Sequence, residues 1–226
     1  MNGVKVGIIG IGNMGSAHLR MITGGNIPDM TVTAVCDINP ERLKAAKAEY
    51  PDIAAFGDYT ELLKSSDTDA VIIAVPHPLH AKIAIEAFEY GKHVLVEKPM
   101  DITVSAAEKL CAAARKSGKV FAVMFNQRTN GLFREARRIV NSGELGELKR
   151  SVWIITNWYR TQSYYDSGSW RATWRGEGGG VLLNQAPHNL DIWQWICGKP
   201  SAVTAFCNVG KVHNIEVEDE ATIYTE

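Results

Sequence analysis

Apolar positions in the first half of the chain fall in short runs, separated by stretches with helical spacing. The runs at 4–9, 31–36, 70–75, 93–96 and 120–124, with a short one near 54–56, predict strands. The segments 13–22, 40–49, 59–64, 79–90 and 103–117 predict helices, the last capped by Asp101 or Thr103 and ended by Gly118. Strands alternating with helices imply parallel strands joined by right-handed crossovers, hence a doubly wound α/β sheet that closes near Phe125. Beyond it, the pattern predicts an Arg-rich helix over 132–141 and strand-like alternation over 148–156, with Val152, Ile154 and Thr156 on one face. A second amphipathic helix follows Gly178-Gly179-Gly180. A boundary near 126 therefore divides a first domain, 1–125, from a second, 126–226.

The first strand runs into Gly10-Ile11-Gly12-Asn13-Met14-Gly15 and then a helix. Three glycines alone are a weak signal; strand, turn and helix together are a specific one. Gly10 suits the tight turn, Gly12 lets backbone approach a pyrophosphate, and Gly15 lets helix pack closely on strand. The helix N-terminus then offers free N–H groups and a positive dipole end to phosphates. The second strand ends at Asp37, about 20 positions past Gly15, where an acid bonds the adenosine ribose hydroxyls. A carboxylate there would repel a 2′-phosphate, which favours NAD over NADP, although Arg42 lies close enough in sequence to soften that preference. Gly10, Gly12, Asn13, Met14, Gly15 and Asp37 are the candidate cofactor contacts, with Pro76 after the 70–75 strand and Glu97 and Lys98 after the 93–96 strand.

Val94-Leu95-Val96-Glu97-Lys98-Pro99 ends a buried strand in a lysine, on the edge of the sheet where ligands bind. A lysine at the tip of an apolar strand needs a partner or a task. After the triple glycine, Asn184, His188 and Asp191 are spaced i, i+4, i+7, one helical face provided Pro187 does not interrupt it. A structural histidine in a plain helix would show the same spacing. The stretch 158–175 collects aromatics and arginines without a regular period. Stacking of aromatic faces on sugar C–H surfaces, with arginine forks on hydroxyls or a carboxylate, makes Arg160, Tyr164 and Trp170 candidate substrate contacts, together with Asp191. A loop packed under its own aromatics is the plainer alternative.

Composition narrows the class. With 226 residues, 46% of them hydrophobic, and a net charge of −1, the chain has no electrostatic footprint for nucleic acid or an anionic membrane. No apolar run approaches the ~18 residues of a membrane span. The first strand begins at once, without a signal-peptide pattern, so a soluble cytoplasmic protein is expected. Cys36, Cys111, Cys197 and Cys207 form no metal-ligand spacing and read as reduced core residues; no metal is expected.

In order and spacing, the glycine turn, Glu97-Lys98-Pro99 and Gly178-Gly179-Gly180…His188-Asn189-Leu190-Asp191 resemble the glucose–fructose oxidoreductase / inositol dehydrogenase / MocA family over essentially the whole chain. The resemblance implies a Rossmann domain followed by an α+β domain whose open sheet carries the substrate site and mediates homodimers or homotetramers. It implies NAD(P)-linked hydride transfer at a hydroxyl or keto carbon of a sugar, inositol or related polyol. The catalytic positions it implies are Lys98, Asn184 and His188. The family's inositol dehydrogenases carry an Asp where this chain has Asn184, and an amide cannot take up a proton. Acid–base work then falls to His188 or Lys98; His188, with an ordinary pKa of about 6.5, suits it better, with Lys98 polarising the reacting oxygen and Asn184 orienting it.

Two other classes share these motifs: an NAD-dependent glycosidase working by oxidation and elimination, and a non-enzymatic dinucleotide sensor. The final residues, 217–226, have the pattern of a strand, whereas the family continues through further strands and a closing helix. The second domain is therefore expected to be incomplete, with Phe206 and Ile223 unusually exposed.

Overall fold

The computed structural model describes residues 3–65, 67–156 and 158–226. Its contacts divide the chain into two units, 1–124 and 125–226.

The first unit is a six-stranded parallel sheet in the order β3-β2-β1-β4-β5-β6. Its strands are β1 (Val4–Ile9), β2 (Met30–Cys36), β3 (Ala54–Phe56), β4 (Ala70–Ile73), β5 (His93–Val96) and β6 (Phe121–Val123). The crossovers are α1 (Asn13–Thr23), α2 (Pro40–Glu49), α3 (Tyr59–Lys64), α4 (His80–Glu89) and α5 (Val104–Ser117). The sheet has a core on each face. Ile9, Val71, Ile73, Val94, Val96, Leu62 and Leu110 pack together on one side, and Val6, Ile8, Val35, Ile72, Leu19 and Ile22 on the other. Each such side chain contributes about 1.5–3 kcal/mol on burial, enough to offset the ~1–2 kcal/mol of backbone entropy its residue loses.

Local chemistry sets the helix ends. The Asn39 side chain accepts the Glu41 N–H ahead of α2 at 2.9 Å, with Pro40 in the first turn where its missing N–H costs nothing. Thr103 caps α5 through the Ala106 N–H, and Gly118 closes it at φ +67°. Lys92, nearly buried, holds the loop before β4 by donating to the carbonyls of Ser65 and Thr68, both at 2.6 Å.

The second unit contains α6 (Gly131–Ser142), α7 (Gln162–Asp166), a π-turn at Val181–Gln185, α8 (Pro187–Cys197) and an antiparallel ribbon of β7 (Val203–Val209) and β8 (Glu218–Thr225). Arg128 grips Asp191 of α8 through Nε at 2.8 Å and Nη2 at 2.5 Å, while Arg137 of α6 stacks 4.4 Å over the Trp195 ring. Every residue of β7 is exposed, Phe206 at 71%, and Ile223 of β8 is exposed at 36%.

Three expectations are corrected. Residues 148–156 form no strand among the described residues, and Val152 and Ile154 are exposed. Alternation supplies a face but not a neighbour, and an unpaired strand leaves its backbone groups to water. Of the four cysteines only Cys36 is buried; Cys207 is exposed on β7. The helix after the triple glycine begins only at Pro187, so Asn184 lies outside it on the π-turn, closed by Ala186 N–H to Val181 O at 2.7 Å. Proline has no N–H to continue an upstream turn, and so it restarts the helix at its own first position.

Candidate functional site

In the first unit the chain order reverses between β1 and β4, and the glycine turn lies there, at the carboxyl ends of the strands. Gly10 has φ +88°, and a Cβ on it would sit 2.6 Å from the Ala74 carbonyl oxygen just past β4. A Cβ on Gly15 would stand 1.8 Å from the Gly10 oxygen, so these two glycines are demanded by packing. Gly12 differs: a Cβ there would meet nothing nearer than Arg42 Nη1 at 3.8 Å. Its surface is open, and it precedes the first turn of α1, with Asn13 and the half-exposed Met14, where backbone N–H groups have no acceptor within the helix. An open glycine beside free N–H donors is what a pyrophosphate requires, and the cradle fits the cofactor.

Asp37 is nearly buried at the end of β2. It accepts the N–H groups of Ile11 and Asn39, each at 2.9 Å, and Arg42 Nη1 lies 3.3 Å from Oδ2. The acid thus locks the glycine turn to the β2 end, with a cation beside it. Past β5, buried Glu97 faces His18 of α1, Oε1 to Nε2 at 2.7 Å, and its other oxygen accepts the Lys98 N–H at 3.3 Å. The Lys98–Pro99 bond is cis. The His80 ring lies between the carbonyl oxygens of Val75 and Pro99, at 2.8 and 2.6 Å. It ties the segment holding Pro76 to the one holding Lys98.

In the second unit the triple glycine is again a packing requirement. A Cβ on Gly180 would fall 1.9 Å from the Glu218 carbonyl oxygen, and the buried Glu218 carboxylate accepts the N–H groups of Gly180 and Leu182 at 2.9 and 3.0 Å. This pins the π-turn that presents Asn184. Asn184 Nδ2 donates to Oε1 of Glu177, whose other oxygen accepts the Ala172 N–H at 2.6 Å; it also lies 3.5 Å from Tyr164 Oη. His188 opens α8 with its ring edge-on to Phe125, centroids 6.0 Å apart, and its Nδ1 is buried. Asp191 is occupied by Arg128, and the structure does not bring it to Asn184's partners.

Of the other substrate candidates, Arg160 lies 4.0 Å over the Tyr164 ring, and Arg171 lies 4.3 Å from the same ring and 4.8 Å from Trp170. At the start of β8, burial alone would push the Asp219 carboxyl up. The N–H groups of Val212, His213 and Lys211 outweigh it and hold the group below the usual carboxylate range.

His18, Glu177 and Glu218 went unnoticed in the sequence. Glu177 had the one visible signal, an acid set directly against three glycines.

This strand order, with a glycine turn after β1 and an acid at the end of β2, defines a Rossmann domain of the oxidoreductase class. The chain belongs to the GFO/IDH/MocA family. Residues 4–125 match its oxidoreductase domain with the NAD-binding Rossmann fold, and residues 133–226 match its C-terminal domain. The chain is 31% identical over 189 residues to a 1-carboxy-3-chloro-3,4-dihydroxycyclohexa-1,5-diene dehydrogenase of Comamonas testosteroni, covering 84% of this chain and 46% of that protein. It is 34% identical over 146 residues to inositol 2-dehydrogenase of Salmonella typhimurium, covering 64% and 43%. Among solved structures it is similar to the WlbA dehydrogenase of Bordetella pertussis in complex with NADH and UDP-GlcNAcA. The TM-score is 0.90 at 28% identity, covering 99% of this chain and 67% of that one. The chain spans about half the length of the curated relatives it matches. No helix among the described residues is long and apolar enough to cross a membrane.

Proposed function

We propose that this chain supplies the cofactor site and the reacting groups of an NAD-dependent dehydrogenase acting on a hydroxyl-bearing carbon of a sugar, inositol or related polyol. The observation that carries the reading is the cradle at Gly12, left open while Gly10 and Gly15 are closed by packing and Asp37 is held at the ribose end. Gly12, Asn13 and Met14 would hold the pyrophosphate and Asp37 the ribose, with Pro76, Glu97 and Lys98 toward the nicotinamide. When bound, NAD supplies the hydride acceptor.

The chain's own groups handle the proton. His188 takes the proton from the substrate hydroxyl through its imidazole. The Lys98 ammonium stabilises the charge developing on that oxygen. Asn184, whose Nδ2 is directed to Glu177, orients a substrate hydroxyl through its amide. The family resemblance and relatives that are themselves named dehydrogenases support the reading.

The test is reduction of NAD, followed by absorbance, with a panel of inositols, aldoses and their acids. Turnover with at least one member is expected. NAD binding without turnover of any member would favour the sensor class.

A further inference from the structure

Arg160 and Arg171 both lie within about 4 Å of one aromatic ring, that of Tyr164. Arg171 Nη1 donates to Tyr164 Oη at 2.5 Å, and the same oxygen lies 3.5 Å from Asn184 Nδ2. The two guanidinium groups therefore flank the phenol that adjoins Asn184. They are closer to each other than a Debye length of about 10 Å, so their charges repel. Among the described residues neither has a carboxylate within ion-pair distance, whereas Arg42, Arg128 and Arg138 all do. The nearby Glu177 carboxylate is taken by Asn184 and the Ala172 N–H. Arg160 Nε is buried with no hydrogen-bond partner. A buried N–H without an acceptor, in a pair of unneutralised cations, calls for an oxyanion. Guanidinium planes stacked on aromatic rings are preorganised for the two parallel bonds such a group accepts.

We propose that the substrate carries an oxyanion, a carboxylate or a phosphate, bound by Arg160 and Arg171 around Tyr164. This rests on the dehydrogenase reading and narrows its substrate class from neutral polyols to acidic sugars.

The test compares D-glucose, D-glucuronate and D-glucose 6-phosphate with the NAD-loaded protein, by turnover and by thermal shift. One acidic member should exceed glucose in kcat/KM by at least about tenfold, and which one identifies the anion. Arg171→Gln and Arg160→Gln should remove that preference, chiefly by raising KM for the acidic compound. Equal use of glucose and both acids overturns the inference, as does a preference that survives both substitutions. The comparison on the unaltered protein decides even if a variant fails to fold. If none of the three is turned over, the dehydrogenase reading is decided by the wider panel of inositols, aldoses and acids. The anion site is then judged by the rise in Tm, which glucuronate or glucose 6-phosphate should produce and glucose should not. No rise with either acid overturns it.

Discussion

The side-chain amide of Asn184 donates to the buried carboxylate of Glu177, a residue 1% exposed. A carboxylate accepts only, so the bond fixes which end of the amide faces it. An Asp at position 184 would set two carboxyl groups against each other, and one would have to hold a proton. Asn184→Asp alone should therefore destabilise the protein by about 1–3 kcal/mol near neutral pH, and less as the pH falls and the pair takes up its proton. Glu177→Gln with Asn184→Asp restores an amide–carboxylate pair of opposite polarity and should recover at least half of that loss. Urea unfolding of the two single variants and the double variant measures the coupling; strictly additive losses would show that the pair is not coupled.

The three glycines of the first turn should separate by function. Gly15→Ala puts a methyl 1.8 Å from the Gly10 oxygen and should cost about 3 kcal/mol or more, or prevent folding. Gly12→Ala meets no atom nearer than 3.8 Å, so its Tm should stay close to that of the parent while NAD affinity falls. Circular dichroism and fluorescence titration with NADH read the two effects. A Gly12→Ala protein that binds NADH normally would remove the pyrophosphate from this turn.

At the ribose end, Asp37 and Arg42 should pull in opposite directions. Asp37→Ala should weaken NAD by about tenfold or more and NADP much less, since only the free 2′-hydroxyl uses the carboxylate. Arg42→Ala removes the cation 3.3 Å from Asp37 and should tilt the ratio further toward NAD. Equal losses for both cofactors after Asp37→Ala would mean that the acid only braces the turn through Ile11 and Asn39.

His188→Ala should lower kcat by about a hundredfold or more and leave NAD affinity intact. A small loss of kcat with a raised KM would instead make His188 a binding group.

Burial, reinforced by the carboxylates of Asp37 and Asp58, pushes the Cys36 thiol up to about 12. Below that pH the group stays protonated and therefore unreactive. Iodoacetamide at about pH 8 should label exposed Cys207 in the native protein and reach Cys36 only after unfolding. Rapid native labelling of Cys36 would show that β2 opens readily.

The sequence by itself determined the Rossmann unit, because each of its signals is local. Short apolar runs alternating with helical spacing mark strands buried on two faces; Asn39 and Thr103 cap with their own side chains; Gly15 answers a contact with Gly10 inside one strand–turn–helix unit, whereas the space at Gly10 is closed by Ala74 beyond β4. Tertiary structure decided the rest. Residues 148–156 have the alternation of a strand, but a strand exists only where a neighbour takes its N–H and C=O groups, and alternation does not encode the neighbour. Asn184, His188 and Asp191 have helical spacing, yet the π-turn ahead of Pro187 changes the phase. Asn184 consequently turns to Glu177 and Tyr164, and Asp191 to Arg128. The pairing of Arg160 and Arg171 on one ring likewise comes from the folding of an irregular loop, where no period relates position in sequence to position in space.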